Sequence, residues 1–168
     1  MTGGSKMRIP TRTACAALLA LVALGGAAAA EEPINTGLFG GVAIKGYDTV
    51  AYFTEGMAVK GSAEFSYEWL GAPWYFANAE HRSLFSSSPT KYAPQYGGYC
   101  TLGVGLDAHA AENIDPERAW RIIDGKLYFV YDPTYAEELD GPARDEWLAK
   151  AEANWPAVKV QIAQDFTN

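Results

Sequence analysis

Thiols and imidazoles are scarce in this chain of 168 residues, which holds two cysteines and two histidines. That excludes a disulfide scaffold, a zinc site built mainly from thiolates, and a histidine-rich metal cage. No Cys-x-x-Cys occurs, so nothing points to a self-sufficient disulfide oxidoreductase. The Gly-x-Ser-x-Gly elbow, the phosphate loop and the dinucleotide fingerprint are absent as well. Positive charge is short: 13 Lys and Arg stand against 20 Asp and Glu, a net charge of −7. Disorder does not fit, because 49% of residues are hydrophobic and only 20% are charged.

What basic charge there is concentrates at the start. Lys6, Arg8 and Arg12 precede any acid, and an uncharged stretch follows from Ala14 to Ala30. That stretch falls short of the roughly 20 apolar residues that span a bilayer. A basic segment, an apolar run and the small residues Ala27 to Ala30 read, in that order, as a secretory signal peptide over residues 1–30. Cleavage is expected between Ala30 and Glu31, and the destination is periplasmic or secreted. Export removes three basic residues and no acid, so the charge moves from −7 to −10. A chain this acidic repels phosphate backbones and anionic lipid, which argues against a nucleic-acid partner. No later segment reads as a membrane span. Cys15 leaves with the signal, so Cys100 is the one thiol and forms no internal disulfide.

The exported part is rich in aromatics, which can fill a small core. Residues 31–41 hold Pro33, Gly37, Gly40 and Gly41 and read as a flexible lead-in. Phe65, Tyr67 and Trp69 alternate with acids and Ser66, which predicts a strand. Gly71-Ala72-Pro73 reads as its turn and Trp74-Tyr75-Phe76 as the return strand. Asn78 reads as the N-cap of a short helix to Phe85, and Pro89 opens another. Tyr96-Gly97-Gly98-Tyr99 makes a tight bend before Cys100, and 101–115 reads as a Gly-rich loop. Asp124-Gly125 between Trp120–Ile123 and Leu127–Tyr131 predicts a second hairpin. A helix is expected over Pro142 to Asn154, ended by Pro156, with 157–168 as a C-terminal tail. The two hairpins rhyme in sequence, and two unrelated hairpins with similar strand residues are the preferred explanation over an internal duplication.

Several stretches together carry a family resemblance. They are Gly46-Tyr47-Asp48-Thr49-Val50-Ala51-Tyr52-Phe53, Val59-Lys60-Gly61, Trp74-Tyr75-Phe76-Ala77, Pro89-Thr90-Lys91-Tyr92 and Gln95-Tyr96-Gly97-Gly98-Tyr99-Cys100. Asp115-Pro116-Glu117, Asp124-Gly125-Lys126-Leu127-Tyr128 and the run Ala149 to Pro156 complete the set. In this order the chain resembles the exported, stand-alone YHS-domain proteins of bacteria, a family that includes selenoproteins, across residues 42–156. The resemblance implies an α+β fold, a small single domain of β-hairpins packed with short helices, plus a C-terminal helix. Related YHS and TRASH-type domains look like metal-binding modules with a paired-cysteine core. On this chain the first cysteine of that core falls on Ala77, which cannot ligate, and the second on His81, which can.

The candidate metal ligands are therefore Cys100, His81 and His109. Cys100 reads as a soft-metal ligand, as a redox thiol working with a partner, or as a buried small hydrophobe. His81 shares a helix face with Leu84 and Phe85, and it also reads as a hydrogen-bonded or surface histidine without a ligand role. Cys100-x8-His109, with Asp107 nearby, matches no standard structural-zinc spacing. Tyr96 and Tyr99 could donate hydrogen bonds to a ligand or simply pack. The leading expectation is a non-enzymatic module for copper or zinc. Its incomplete ligand set would be completed by a periplasmic partner protein or by a second copy in a homodimer.

Overall fold

The computed structural model describes residues 1–3, 32–38 and 40–165, so the expected signal peptide lies almost wholly outside the described residues. The fold is α+β, with two antiparallel hairpins, several short helices and one long C-terminal helix. A turn at Ala43–Gly46 leads into helix α1, Ala51–Thr54. Strand β1, Ser62–Trp69, pairs with β2, Ala72–Phe76, with Trp69 opposite Ala72. The turn between them is Leu70-Gly71, at φ +49° and +71°, one residue earlier than the Gly-Ala-Pro reading. Pro73 lies inside β2, opposite Glu68.

Helix α2, Ala79–Ser87, starts at Asn78, whose side chain accepts the backbone N–H of His81 at 2.8 Å. Helix α3, Pro89–Tyr92, follows. After a bend at Gln95–Gly98, helix α4 spans Thr101–Asp107 where a loop was expected. Its glycines are explained by packing rather than by chain reversal. Gly105 lies so close to helix α6, Arg144–Asp165, that a Cβ would stand 2.9 Å from the Trp147 carbonyl oxygen. Strands β3, Trp120–Ile123, and β4, Lys126–Phe129, form the second hairpin around Asp124-Gly125, at φ +51° and +73°. These left-handed pairs are the hairpin turn that matches strand twist. Helix α5, Pro133–Glu138, is capped by Asp132.

Two boundaries differ from the sequence reading. Helix α6 runs through Pro156 to Asp165, so residues 157–165 are helix and not a tail. Interior proline costs a helix about 3 kcal/mol, but Ala151, Trp155, Val158 and Ile162 form one buried stripe across it. Continuing that stripe outweighs the lost hydrogen bond. The lead-in is also docked. Asn35 is buried, donates its side-chain amide to the carbonyls of Gly98 and Glu112, and accepts from Ile44 N–H at its own carbonyl. Glu32 accepts from Trp155 Nε1 at 2.6 Å and pairs with Lys159 at 3.0 Å.

The core is aromatic. Phe85 packs against Trp69, Trp74, Phe76 and Tyr67 beside the first hairpin. Tyr52 of α1 meets Trp120 and Phe129 edge-on and joins the first hairpin's region to the second. Among the described residues, no helix is long and apolar enough to cross a membrane.

Candidate functional site

The polar centre of this apolar interior is Asp48, whose residue exposure is 0%. It caps α1: its Oδ1 accepts from Val50 N–H at 2.9 Å and Ala51 N–H at 3.4 Å. Its Oδ2 accepts from Ala77 N–H at 2.8 Å and meets His81 Nδ1 at 2.7 Å. A buried carboxylate is tolerable only with such a full set of donors. Because Oδ2 is an acceptor, the ring proton of a neutral His81 sits on Nδ1. Nε2 is then left with its lone pair.

That lone pair faces oxygen. Glu55 Oε1 stands 3.5 Å from Nε2 and Thr54 Oγ1 stands 3.4 Å from it. The Thr54 hydroxyl donates to the Val50 carbonyl at 3.1 Å, which uses its proton elsewhere. In the neutral ring, an imidazole nitrogen, a carboxylate oxygen and a hydroxyl oxygen thus converge with no donor between them. A proton or a cation is what such a set holds. Two ligands each about 2.1 Å from a tetrahedral zinc stand about 3.4 Å apart, so the spacing suits a shared ion. Asp48 stands behind the His81 ring in the way that carboxylates orient the imidazoles of known metal sites. His81 is buried, while the Glu55 side chain is 41% exposed, so the convergence lies where the interior meets solvent.

Cys100 is elsewhere. It is 5% exposed, sits at the N-cap of α4 without a side-chain capping bond, and belongs to the hydrophobic core. Its N–H donates to the Ala111 carbonyl at 2.9 Å. His109 is exposed and lines a cavity of about 120 Å³ with Tyr99, Glu112, Gln161 and Asp165. Backbone bonds bring residues 100, 109 and 111 into one loop cluster. Even so, no group of three His, Cys, Asp or Glu residues able to hold a metal occurs among the described residues. Tyr96 and Tyr99 are both buried and pack on Trp155, with ring centroids 5.6 and 6.2 Å away. Burial raises both phenol pKa values, that of Tyr99 to about 12 with help from the Glu112 carboxylate.

Of the residues singled out from the sequence, His81 alone lies in the converging set, and Asp48, Thr54 and Glu55 were missed. Asp48 carried a signal: an acid three residues before Ala51, ahead of an apolar helix start, can accept the N–H groups exposed there. The chain matches no family model, no curated protein and no solved structure.

Proposed function

We propose that this chain is an exported, non-enzymatic binding module of the YHS type, and that it holds a divalent zinc or copper(II) ion at His81 and Glu55. The observation that carries this reading is the convergence of His81 Nε2, Glu55 Oε1 and Thr54 Oγ1, with Asp48 fixing the ring from its other nitrogen. Nitrogen and oxygen donors suit zinc or copper(II) better than copper(I), which favours thiolate and thioether. The resemblance to YHS domains points to the same side chain, since His81 takes the place of a cysteine in their core. Two strong ligands leave the coordination open, so water, a periplasmic partner protein or a second copy supplies the rest.

A thiol-centred site at Cys100 has less support. The side chain is buried in the core and neither histidine completes a ligand group with it. Its burial favours packing over redox exchange, which needs an accessible thiolate. Zinc and copper(II) titration of the chain, with a competing chelator, tests the reading. Binding that is lost in His81→Gln and kept in Cys100→Ser supports it. Binding that follows Cys100 instead refutes it.

A further inference from the structure

The chain repeats itself in three dimensions. In the first turn Ile44, Lys45 and Gly46 have φ of +50°, +53° and +76°. In the second turn Tyr96, Gly97 and Gly98 have φ of +53°, +58° and +82°. Three successive left-handed residues are rare, and a β-branched residue such as Ile44 is an outlier there. Each triplet is followed by an extended tyrosine, Tyr47 or Tyr99, whose N–H donates back to the carbonyl of Ile44 or Tyr96. The next N–H, of Asp48 or Cys100, donates to the carbonyl of Val59 or Ala111, in each case at 2.9 Å. Then come Thr49 and Thr101. Among the described residues, these two are the buried side-chain hydroxyls without a hydrogen-bond partner. The spacing throughout is 52 positions, from 46 to 98, 48 to 100 and 59 to 111.

The hairpins and the helices after them repeat at a spacing of 54. Tyr67 opposite Trp74 matches Arg121 opposite Tyr128, and Trp69 opposite Ala72 matches Ile123 opposite Lys126. Leu70-Gly71 matches Asp124-Gly125 in sign and size of φ. The N-caps Asn78 and Asp132 correspond, as do the fully buried pairs Phe76 with Val130 and Phe85 with Leu139.

We infer that residues 42–85 and 94–139 are two copies of one unit, and that the second copy contains an altered counterpart of the His81 centre. Cys100 stands for Asp48, Tyr135 for His81 and Asp107 for Glu55. The altered positions follow the chemistry of the pair. A buried carboxylate and a buried imidazole satisfy each other, so loss of one alone leaves the other unpaired; here both are replaced together. Tyr135 is 49% exposed where His81 is buried, and Cys100 makes no capping bond where Asp48 caps its helix. The acid at the solvent edge needs no buried partner and is kept as Asp107. The unit therefore folds with either residue set, and the Asp48–His81 pair distinguishes the first copy. The duplication stands whether or not the first copy holds an ion.

The test rebuilds the centre in the full chain with Cys100→Asp together with Tyr135→His, read without metal by ¹H–¹⁵N NMR of the imidazoles. The expected result is a second hydrogen-bonded Nδ1–H signal resembling that of His81. A folded variant whose new ring lacks that bond overturns the inference. The single variant Cys100→Asn decides independently if the double variant does not fold. A capping side chain at the counterpart of Asp48 should raise Tm by a few degrees. A fall in Tm, as expected for a polar group forced into plain core, overturns it. Both readouts are blind to ion binding, so their failure is separable from failure of the metal reading.

Discussion

Replacing Asp48 by Asn leaves the shape of the side chain unchanged and turns one carboxylate oxygen into a donor. The carboxylate accepts on both sides, from Val50 and Ala51 N–H at Oδ1 and from Ala77 N–H and His81 Nδ1 at Oδ2. An amide cannot do that. With its nitrogen toward His81, the ring must accept at Nδ1, its proton moves to Nε2, and Ala77 N–H loses its acceptor. The opposite orientation strands the first N–H groups of α1 instead. One buried unsatisfied N–H costs about 1–3 kcal/mol. At about 4 °C per kcal/mol for a domain of this size, Tm should fall by about 4–12 °C. The ring also loses the lone pair that faces Glu55. Metal affinity should then drop about 10–100-fold, the usual loss when an orienting partner is removed. Thermal melting and long-range ¹H–¹⁵N imidazole spectra read the two effects separately. A variant that melts within 1 °C of the parent and keeps the Nδ1–H tautomer refutes the reasoning.

Glu55 is half in solvent, so Glu55→Gln should weaken zinc binding about tenfold or more while shifting Tm by less than about 2 °C; calorimetry and melting check the two together. At Gly97, φ is +58° and a Cβ would stand 1.8 Å from the Pro33 carbonyl oxygen. Gly97→Ala should therefore destabilise by about 3 kcal/mol or more by urea unfolding. Gly71→Ala, with φ +71° and open space around it, should cost about 1 kcal/mol. Burial raises the phenol pKa values of Tyr52, Tyr96 and Tyr99 above the ordinary 10. The unfolded chain sheds these protons first, so their contribution is whole below pH 10 and fades from pH 10 to about 12 and beyond. Phenolate absorbance should show these three ionising only as the chain unfolds.

The fold was legible wherever local chemistry and packing agree. Asp124-Gly125 and the Trp120 to Phe129 strands are an example, since the left-handed turn and the strand periodicity point the same way. The first hairpin was legible except at its turn, where Leu70 adopts a left-handed φ that no propensity favours for leucine. Helix α4 was hidden because glycines signal loops, while Gly105 serves instead to admit the α6 backbone. The run of α6 through Pro156 was hidden because a buried stripe decides it, and that stripe appears only once its partners are in place. The site was the least legible part. Asp48 and His81 are 33 residues apart, and nothing in either local sequence announces the other. Cys100 attracted attention by its chemistry as the one thiol after residue 30, whereas its place in the hydrophobic core was not visible in its local sequence.

The central claim is that His81, held by Asp48, is the ligand through which this chain binds a divalent ion. The most direct measurement is a zinc titration of the purified chain beside its His81→Gln and Cys100→Ser variants, each shown folded by its aromatic circular dichroism. The account predicts about one ion per chain in the parent and in Cys100→Ser, and none in His81→Gln. Equal binding by parent and His81→Gln, or no binding by the folded parent, would contradict it.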